Sequence, residues 1–180
     1  MPTLVVITGP IGAGKSTVAH GLADRYKAVG LSAAVVDVDD VMEALYAPLE
    51  RYDKSREQLR GVHGALTAAW IRAGVDAVIV HGPFHAAAET STVMREVPDD
   101  VVARRVMLLV PYDVALDRVH DDSARGISKD PSFLRSTHDR FARLLPDIPP
   151  CEWVFDTTTT AVADIVSRLA HDLIAPTSQE

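Results

Sequence analysis

The sequence has few of the features that mark secreted, membrane or nucleic-acid-binding proteins. Cys151 is the one cysteine among 180 residues, so no internal disulfide can form and nothing indicates an oxidising compartment. No apolar run approaches the ~20 residues of a membrane span. The N-terminus lacks the basic and apolar segments of a signal peptide. We therefore expect a cytoplasmic protein without a membrane partner.

Basic residues are also scarce. Lysine and arginine total 18 against 25 aspartates and glutamates, which gives a net charge of −7. Nucleic acids and anionic membranes require a positive protein surface, so this balance argues against both as partners. It leaves room for a small positive pocket. The sequence does not decide between a monomer and a homodimer.

Short β-branched runs alternate with longer helical segments along the chain. The strand candidates are 3–8, 32–37, 76–80, 104–110 and 152–155. The helix candidates are 15–29, 40–47, 56–73, 86–96, 112–121, 131–144 and 160–174. This alternation predicts an α/β fold of three layers, with a five-stranded parallel sheet between helices, in a single domain over residues 1–180. Ligands are expected where the strands end.

Two polar segments interrupt this pattern and are expected to lie over the ligand edge. Residues from about 40 to 60 mix aromatic side chains with both charges, and we interpret them as an acceptor-binding segment. Residues from about 121 to 130 are short and polar and contain Gly126, which is typical of a mobile lid. Arg51 in the first segment fits an acidic or phosphorylated acceptor, and equally a solvated loop.

The strongest motif is GPIGAGKST at residues 9–17, called the P-loop below, which matches G-x-x-x-x-G-K-[ST] between a predicted strand and a predicted helix. Glycines let the backbone wrap so that N–H groups face anionic oxygens, and the helix N-terminus adds partial positive charge. Lys15 would reach the β- and γ-phosphates, Ser16 would bind Mg²⁺, and Thr17 would contact the α-phosphate. The residues expected to bind ATP here are Gly9, Gly12, Ala13, Gly14, Lys15, Ser16 and Thr17.

Three aspartates follow the second predicted strand, at the next edge of the nucleotide site. An alcohol acceptor needs a carboxylate that orients it and takes its proton, and we assign this role to Asp39. Asp37 shares a face with Asp39 in an extended stretch, and we assign it to Mg²⁺ and to the substrate side. Asp40 would lie on the opposite face and cap the following helix.

At these residues the chain resembles the small P-loop kinases that phosphorylate metabolites or antibiotics, a group that includes shikimate kinase, gluconate kinase and chloramphenicol phosphotransferase. The resemblance covers most of the chain in layout and is specific at the P-loop, at Asp37-x-Asp39 and at the lid. It implies that Asp37 lies near Mg²⁺ and that Asp39 binds the acceptor hydroxyl. VDDVMEAL resembles the chloramphenicol phosphotransferase segment with the proposed base, which again selects Asp39.

The third predicted strand ends in VIVHGPFH. The resemblance implies that Gly82 offers its backbone N–H to the γ-phosphate. His81 stands where many P-loop proteins carry a magnesium-binding aspartate, which weakens an assignment to motor ATPases or GTPases. His81, Phe84 and His85 are candidates for the acceptor pocket. The alternative for both histidines is a hydrogen-bonded structural role.

Two arginines flank or occupy the predicted lid. Phosphoryl transfer spreads negative charge over the moving group, and a guanidinium that closes from a lid can neutralise it, so Arg125 is a catalytic candidate. The resemblance implies that Arg118 stacks on adenine and that Arg125 contacts the phosphates. It also implies that Asp156 and Thr157 touch the base through backbone groups, although a helix cap accounts equally well for the threonines.

The function predicted from these motifs is ATP-dependent transfer of the γ-phosphoryl group to a hydroxyl of a small molecule. One alternative is a nucleoside or nucleotide kinase, whose acceptor would stack on an aromatic side chain. Another is a regulatory switch driven by nucleotide hydrolysis. A switch would need a water-positioning glutamine or a metal-binding aspartate on the third strand, and neither is found.

Overall fold

A computed structural model describes residues 2–45, 52–122 and 126–174. At its centre is a parallel sheet with the strand order β2-β3-β1-β4-β5. The strands are β1 (Thr3–Thr8), β2 (Ala33–Asp37), β3 (Ala77–His81), β4 (Ala103–Leu109) and β5 (Trp153–Asp156). The predicted five-stranded α/β architecture is therefore confirmed, and each strand lies within one residue of its predicted bounds.

Seven helices of more than one turn lie in the described part of the chain. They are α1 (Lys15–Ala28), α2 (Val38–Glu43), α3 (Tyr52–Arg72), α4 (Ala87–Met94), α5 (Tyr112–Asp121), α6 (Pro131–Leu144) and α7 (Val162–Leu173). Short 3₁₀ turns lie at Ile127–Lys129 and Leu145–Asp147. The predicted bounds agree within about two residues for most helices. α2 and α3 begin earlier than predicted, and α2 and α4 end earlier.

Helices cover both faces of the sheet, so the strands are apolar on both sides. In β1, Val5 and Ile7 belong to a core that also contains residues of α1 and α7. Leu4 and Val6 alternate with them and belong to a second core, which includes residues of β3, α3 and α4. Successive side chains of a strand point to opposite faces, and this alternation divides the apolar core into two layers.

The position of β1 in the sheet determines where a ligand can bind. β1 pairs with β3 on one side and with β4 on the other. The connection that leaves β1 runs towards β2, and the connection that leaves its neighbour β4 runs the opposite way, towards β5. This reversal opens a crevice at the C-terminal ends of β1 and β4. The P-loop leaves β1 at this crevice and leads into α1.

Two glycines allow the P-loop to pass close to its neighbours. Gly9 has a φ of 146°, and a Cβ there would collide with the carbonyl oxygen of Leu108 in β4. Gly12 has a φ of 82°, and a Cβ there would lie 2.8 Å from the Cβ of Ala115 in α5. The loop is therefore pressed against β4 and α5, and any side chain at either position would displace it.

Among the described residues, no helix combines the length and the apolar character that crossing a bilayer requires. Arg51 and Arg125, two of the predicted site residues, lie outside the described ranges.

Replacing Gly9 with alanine tests this close packing. We expect Gly9→Ala to lower the free energy of unfolding by about 1–3 kcal/mol, because alanine is strained at this φ and its methyl group meets the Leu108 carbonyl. Gly61→Ala in α3 is the matched control, since a Cβ there has no neighbour within 4 Å. It should raise stability by about 0.5–1 kcal/mol. Urea denaturation measures the free energy of unfolding of both variants. Equal changes in Gly9→Ala and Gly61→Ala would contradict the packing described.

Candidate functional site

The P-loop ends at a helix whose first turn has no side-chain cap. Gly14, the N-cap residue of α1, has a φ of 83° and, as a glycine, offers no side chain to cap the helix. The first amides of a helix have no partners within it, and its dipole places partial positive charge there. The start of α1 is therefore suited to an anionic ligand such as a phosphate group.

Carbonyl oxygens of the P-loop accept hydrogen bonds from Lys15 of the loop itself and from three other parts of the chain, and those bonded from outside are turned away from the loop interior. These bonds run from Lys15 Nζ to Gly9 O and Pro10 O (2.9 Å each), from His85 Nε2 to Gly9 O (3.2 Å), from His138 Nε2 to Ile11 O (2.9 Å) and from Arg118 Nη1 to Gly12 O (3.0 Å). A trans peptide holds its C=O and N–H on opposite sides. Outward carbonyls therefore turn the amides inward, as phosphate binding requires.

The carboxylates predicted for catalysis lie beside this loop. Asp37 ends β2, and its carboxylate accepts a hydrogen bond from the Asp39 amide at 3.0 Å, so Asp37 is the cap of α2. The prediction that Asp40 caps this helix is wrong. Asp39 and Asp40 both lie in its first turn and are exposed. The predicted extended stretch from Asp37 to Asp39 is also wrong, because the chain turns into the helix at Val38.

The charge of Lys15 affects the pKa of both Asp37 and His81. Burial raises the pKa of the Asp37 carboxyl, and the nearby Lys15 charge partly opposes this shift. Burial and Lys15 lower the pKa of His81 to about 4, although the Asp39 charge acts in the opposite direction. His81 Nδ1 lies 3.6 Å from Asp37 Oδ1. The structure thus brings Lys15, Asp37, Asp39 and His81 into one neighbourhood, as the sequence predicted.

A magnesium ion carried by a nucleotide fits the oxygen donors present. Ser16 is the second residue of α1, after Lys15, and burial raises the pKa of the half-buried Asp37 carboxyl, which the Lys15 charge partly opposes. Mg²⁺ prefers hydroxyl and carboxylate oxygens and usually keeps several waters and substrate phosphates as ligands. Within the described ranges there is no group of three or more His, Cys, Asp or Glu side chains that could hold a metal ion without such help.

The end of β3 is more buried than the sequence suggested. His81, Phe84 and His85 are 2 %, 3 % and 4 % exposed. Phe84 stacks on His63 of α3 with ring centroids 5.7 Å apart. The Gly82 amide donates to the carbonyl of Ile7 at 3.3 Å, so in this structure it extends the sheet and does not face a phosphate. This burial favours the structural alternative for both histidines, and their contact with an acceptor stays a prediction.

His85 joins the P-loop to a buried carboxylate that sequence reasoning missed. Arg140 Nη1 lies 3.4 Å from His85 Nδ1, and a guanidinium can only donate. His85 Nε2 therefore carries the proton that bonds to Gly9 O. Glu89, 6 % exposed, accepts hydrogen bonds from Arg140 at 2.8 Å and from Arg60 at 2.7 Å. Burial alone would raise the pKa of Glu89, but these arginines and two backbone amides hold it below its ordinary value.

Arg118 joins the P-loop to the turn after β5. Besides Gly12 O, its guanidinium donates to Thr157 Oγ1 at 2.9 Å and to Thr157 O at 2.8 Å. The Thr157 amide donates to Leu109 O, and the Asp156 carboxylate accepts from Thr158. These groups build a turn that ends before α7, so the helix-cap alternative is wrong. Contacts of Arg118, Asp156 and Thr157 with adenine stay predictions.

His138 lies on α6, the helix after the predicted lid segment, and no sequence pattern indicated a role for it. Its ring packs edge-on against Tyr112, the first residue of α5, at a centroid distance of 5.7 Å. Arg135 covers the Tyr112 ring at 3.3 Å. The helices on both sides of the predicted lid segment, α5 and α6, therefore meet at the P-loop through Arg118 and His138.

A known family matches most of the chain. Residues 4–145 match the family described as an AAA domain. The chain belongs to this AAA domain family. No curated protein sequence matches it significantly.

Solved structures of small kinases resemble this AAA domain over nearly its whole length. Shikimate kinase from Acinetobacter baumannii, solved with shikimate, is 17 % identical with a TM-score of 0.62, and the match covers 97 % of this chain and 94 % of that one. A sugar kinase from Janibacter sp. HTCC2649 is 20 % identical with a TM-score of 0.68, covering 96 % of each chain. The tunicamycin resistance protein of Deinococcus radiodurans is 17 % identical with a TM-score of 0.66, covering 96 % and 95 %. The predicted resemblance to small P-loop kinases is confirmed, and the shared feature is the fold.

The buried histidines make the stability of this AAA domain depend on pH. In the folded state His81 and His85 each have a pKa of about 4, against 6.5 for an ordinary histidine. The unfolded chain therefore takes up protons first, so stability is highest above about pH 6.5 and falls as the pH drops towards 4. The raised pKa of Asp37 acts in the opposite direction, in the lower range where carboxylates titrate.

Urea denaturation at about pH 7.5, 6 and 5 should show a falling free energy of unfolding. His85→Gln keeps a donor for Gly9 O but cannot take up a proton, so its slope should be shallower than that of the wild type. Identical slopes for the two proteins would contradict this origin of the pH dependence.

Proposed function

We propose that the chain is an ATP-dependent phosphotransferase that moves the γ-phosphoryl group to a hydroxyl of a small molecule. The observation that carries this proposal is the pairing of two features at the end of the sheet. A P-loop with outward carbonyls lies on one side, and the carboxylates at the start of α2 lie on the other. The fold that the chain shares with shikimate and sugar kinases supports this choice.

Each group has a role in the proposed reaction. Lys15 and the P-loop amides bind and orient the phosphates and neutralise the charge that develops on them. Asp39 orients the acceptor hydroxyl and takes its proton. Arg118 holds the turn at Thr157 against the P-loop, on the side expected to receive adenine. Arg125 is proposed to approach the phosphates from the lid.

Magnesium would be held by Ser16, by Asp37 and by the phosphates, and it would supply positive charge to the phosphoryl oxygens. His81 does not replace the carboxylate that many P-loop proteins carry at the end of β3, because its neutral ring offers the metal one nitrogen lone pair and no oxygen ligand. We therefore propose that the metal depends more on Asp37 here than it does on any one carboxylate in P-loop proteins that supply two.

The proposed partner is a small hydroxyl compound, and neither a nucleic acid nor a membrane. The net charge of −7 supports this choice. We propose a monomer or a homodimer in the cytoplasm. A natural product or antibiotic is one acceptor class to test, because a protein named for tunicamycin resistance shares the fold. Sugars and other metabolites are the others.

A panel of hydroxyl compounds tests the proposal directly. With the right acceptor, ATP consumption should depend on the added alcohol, and the product should gain the mass of one phosphoryl group. ATP hydrolysis at the same rate without any acceptor would support the regulatory switch instead. Phosphorylation of nucleosides in preference to other alcohols would support the nucleoside kinase alternative.

Replacing Asp39 with asparagine separates its role as a base from nucleotide binding. Asp39→Asn should lower kcat by about 10²–10⁴-fold while the affinity for ATP stays within about twofold, because general base catalysis acts on the chemical step. Asp40→Asn is the matched control, since Asp40 is exposed in the same helical turn. If Asp39→Asn is fully active, the base lies elsewhere, and Asp37 is then the first residue to test.

Lys15→Ala should lower kcat/KM by at least about 100-fold, because the γ-phosphate loses its main compensating charge. Calorimetry with ATP and Mg²⁺, combined with steady-state assays, measures both binding and turnover. Unchanged turnover would reject the role of the P-loop in this proposal.

A further inference from the structure

His138 holds the peptide whose amide the P-loop would offer to a phosphate. Its Nε2 lies 2.9 Å from Ile11 O. A carbonyl oxygen can only accept, so Nε2 carries the proton. The same peptide includes the Gly12 N–H, which a trans peptide turns to the opposite side from the Ile11 carbonyl. When His138 draws the carbonyl outward, it directs the Gly12 N–H into the loop.

The other side-chain contacts that reach the loop from outside it do not do this. His85 and Lys15 bond to Gly9 O, but the next residue is Pro10, which has no N–H to orient. Lys15 also bonds to Pro10 O, whose peptide carries the Ile11 N–H, but Lys15 belongs to the P-loop itself. Arg118 bonds to Gly12 O, and the N–H of that peptide, on Ala13, donates to Pro10 O at 3.3 Å within the loop's own turn. Among the described residues, His138 is thus the side chain from outside the P-loop that bonds to a peptide whose amide is directed inward at the middle of the loop.

The ring of His138 is itself fixed in place. The side chain is 8 % exposed, and the Tyr112 ring packs edge-on against it. Tyr112 is fixed in turn, because its hydroxyl donates to Pro131 O at 3.2 Å and Arg135 covers its ring. Asp130 begins α6 by accepting hydrogen bonds from the amides of Ser132 and Phe133. The imidazole therefore reaches the P-loop from a rigid support.

We propose that His138 is a positioning residue for phosphate binding, which acts by holding the Ile11–Gly12 peptide with its N–H directed into the P-loop. This inference rests on the proposed function, because it assumes that the loop binds a nucleotide. It extends that function by giving the helix after the lid a direct part in the phosphate site.

Two substitutions at His138 distinguish the hydrogen bond from the bulk of the ring. Glutamine places its amide nitrogen where the histidine Nε2 lies, so His138→Gln keeps a donor for Ile11 O. Asparagine is one bond shorter and cannot reach it. His120→Asn, at an exposed position on α5, is the matched control for the exchange of histidine for asparagine.

The probes are ATP with Mg²⁺, tripolyphosphate and adenosine, each measured by calorimetry. We expect His138→Asn to weaken ATP and tripolyphosphate by a similar factor of about ten, the usual effect of one buried hydrogen bond. Adenosine binding should not change. His138→Gln and His120→Asn should bind all three probes within about threefold of the wild type.

Several results would overturn the inference. The first is that His138→Asn binds ATP and tripolyphosphate with wild-type affinity. The second is that His138→Gln loses as much affinity for them as His138→Asn does. The third is that His138→Asn also binds adenosine more weakly than the wild type. If the wild-type protein binds neither ATP nor tripolyphosphate, the proposed function fails and this inference fails with it. ATP binding by the wild type together with an unaffected His138→Asn overturns this inference alone.

A measurement on the wild-type protein covers the case in which His138→Asn does not fold. Long-range ¹H–¹⁵N NMR spectra report which imidazole nitrogen carries the proton. We expect the Nε2–H form for His138, and a shift of the Gly12 amide resonance on addition of tripolyphosphate. The Nδ1–H form, or a Gly12 resonance that does not move at saturation, would overturn the inference.

Discussion

The candidate site depends on the outward orientation of the P-loop carbonyls. A loop that binds phosphate through backbone amides must direct its carbonyl oxygens elsewhere, and buried carbonyls need donors. Here the donors come from Lys15 at the start of α1, His85 after β3, Arg118 in α5 and His138 in α6. The loop is short and rich in glycine, so its conformation is fixed by these elements and by the close contacts of Gly9 and Gly12.

Much of the fold and the centre of the site could be predicted from the sequence because the signals are local. Continuous apolar runs mark strands covered on both faces, and the P-loop pattern requires its glycines, lysine and hydroxyl at fixed spacings. The neighbourhood of Lys15, Asp37 and Asp39 followed from the rule that parallel strands end at one edge. The position of Asp37 as the cap of α2 did not follow from this rule. Any of the three aspartates within residues 37–40 could cap a helix, and the turn at Val38 decides which of them does.

The supports of the P-loop could not be predicted because their partners are distant in the chain. His138 is 127 residues from Ile11, and Arg140 is 51 residues from Glu89. A lone histidine on an amphipathic helix gives no indication of which carbonyl it will meet. Glu89 was equally hidden, since one acidic residue in a helix is usually solvated. Its burial beside Arg60 and Arg140 depends on the packing of three helices, α3, α4 and α6, which a local pattern does not specify.

The choice of histidine at two of these supports has an electrostatic consequence. His85 and His138 both have a lowered pKa, caused first by burial and in part by the charge of Lys15. Both rings are therefore neutral near pH 7, and each gives the loop a hydrogen-bond donor without a charge. A lysine in either place would compete with Lys15 for a phosphate and would leave a carbonyl exposed when it moved. At these two supports neutral donors hold the backbone in position, and the positive charge at the loop comes from Arg118, bonded to Gly12 O, and from Lys15, which the P-loop motif places against the phosphates.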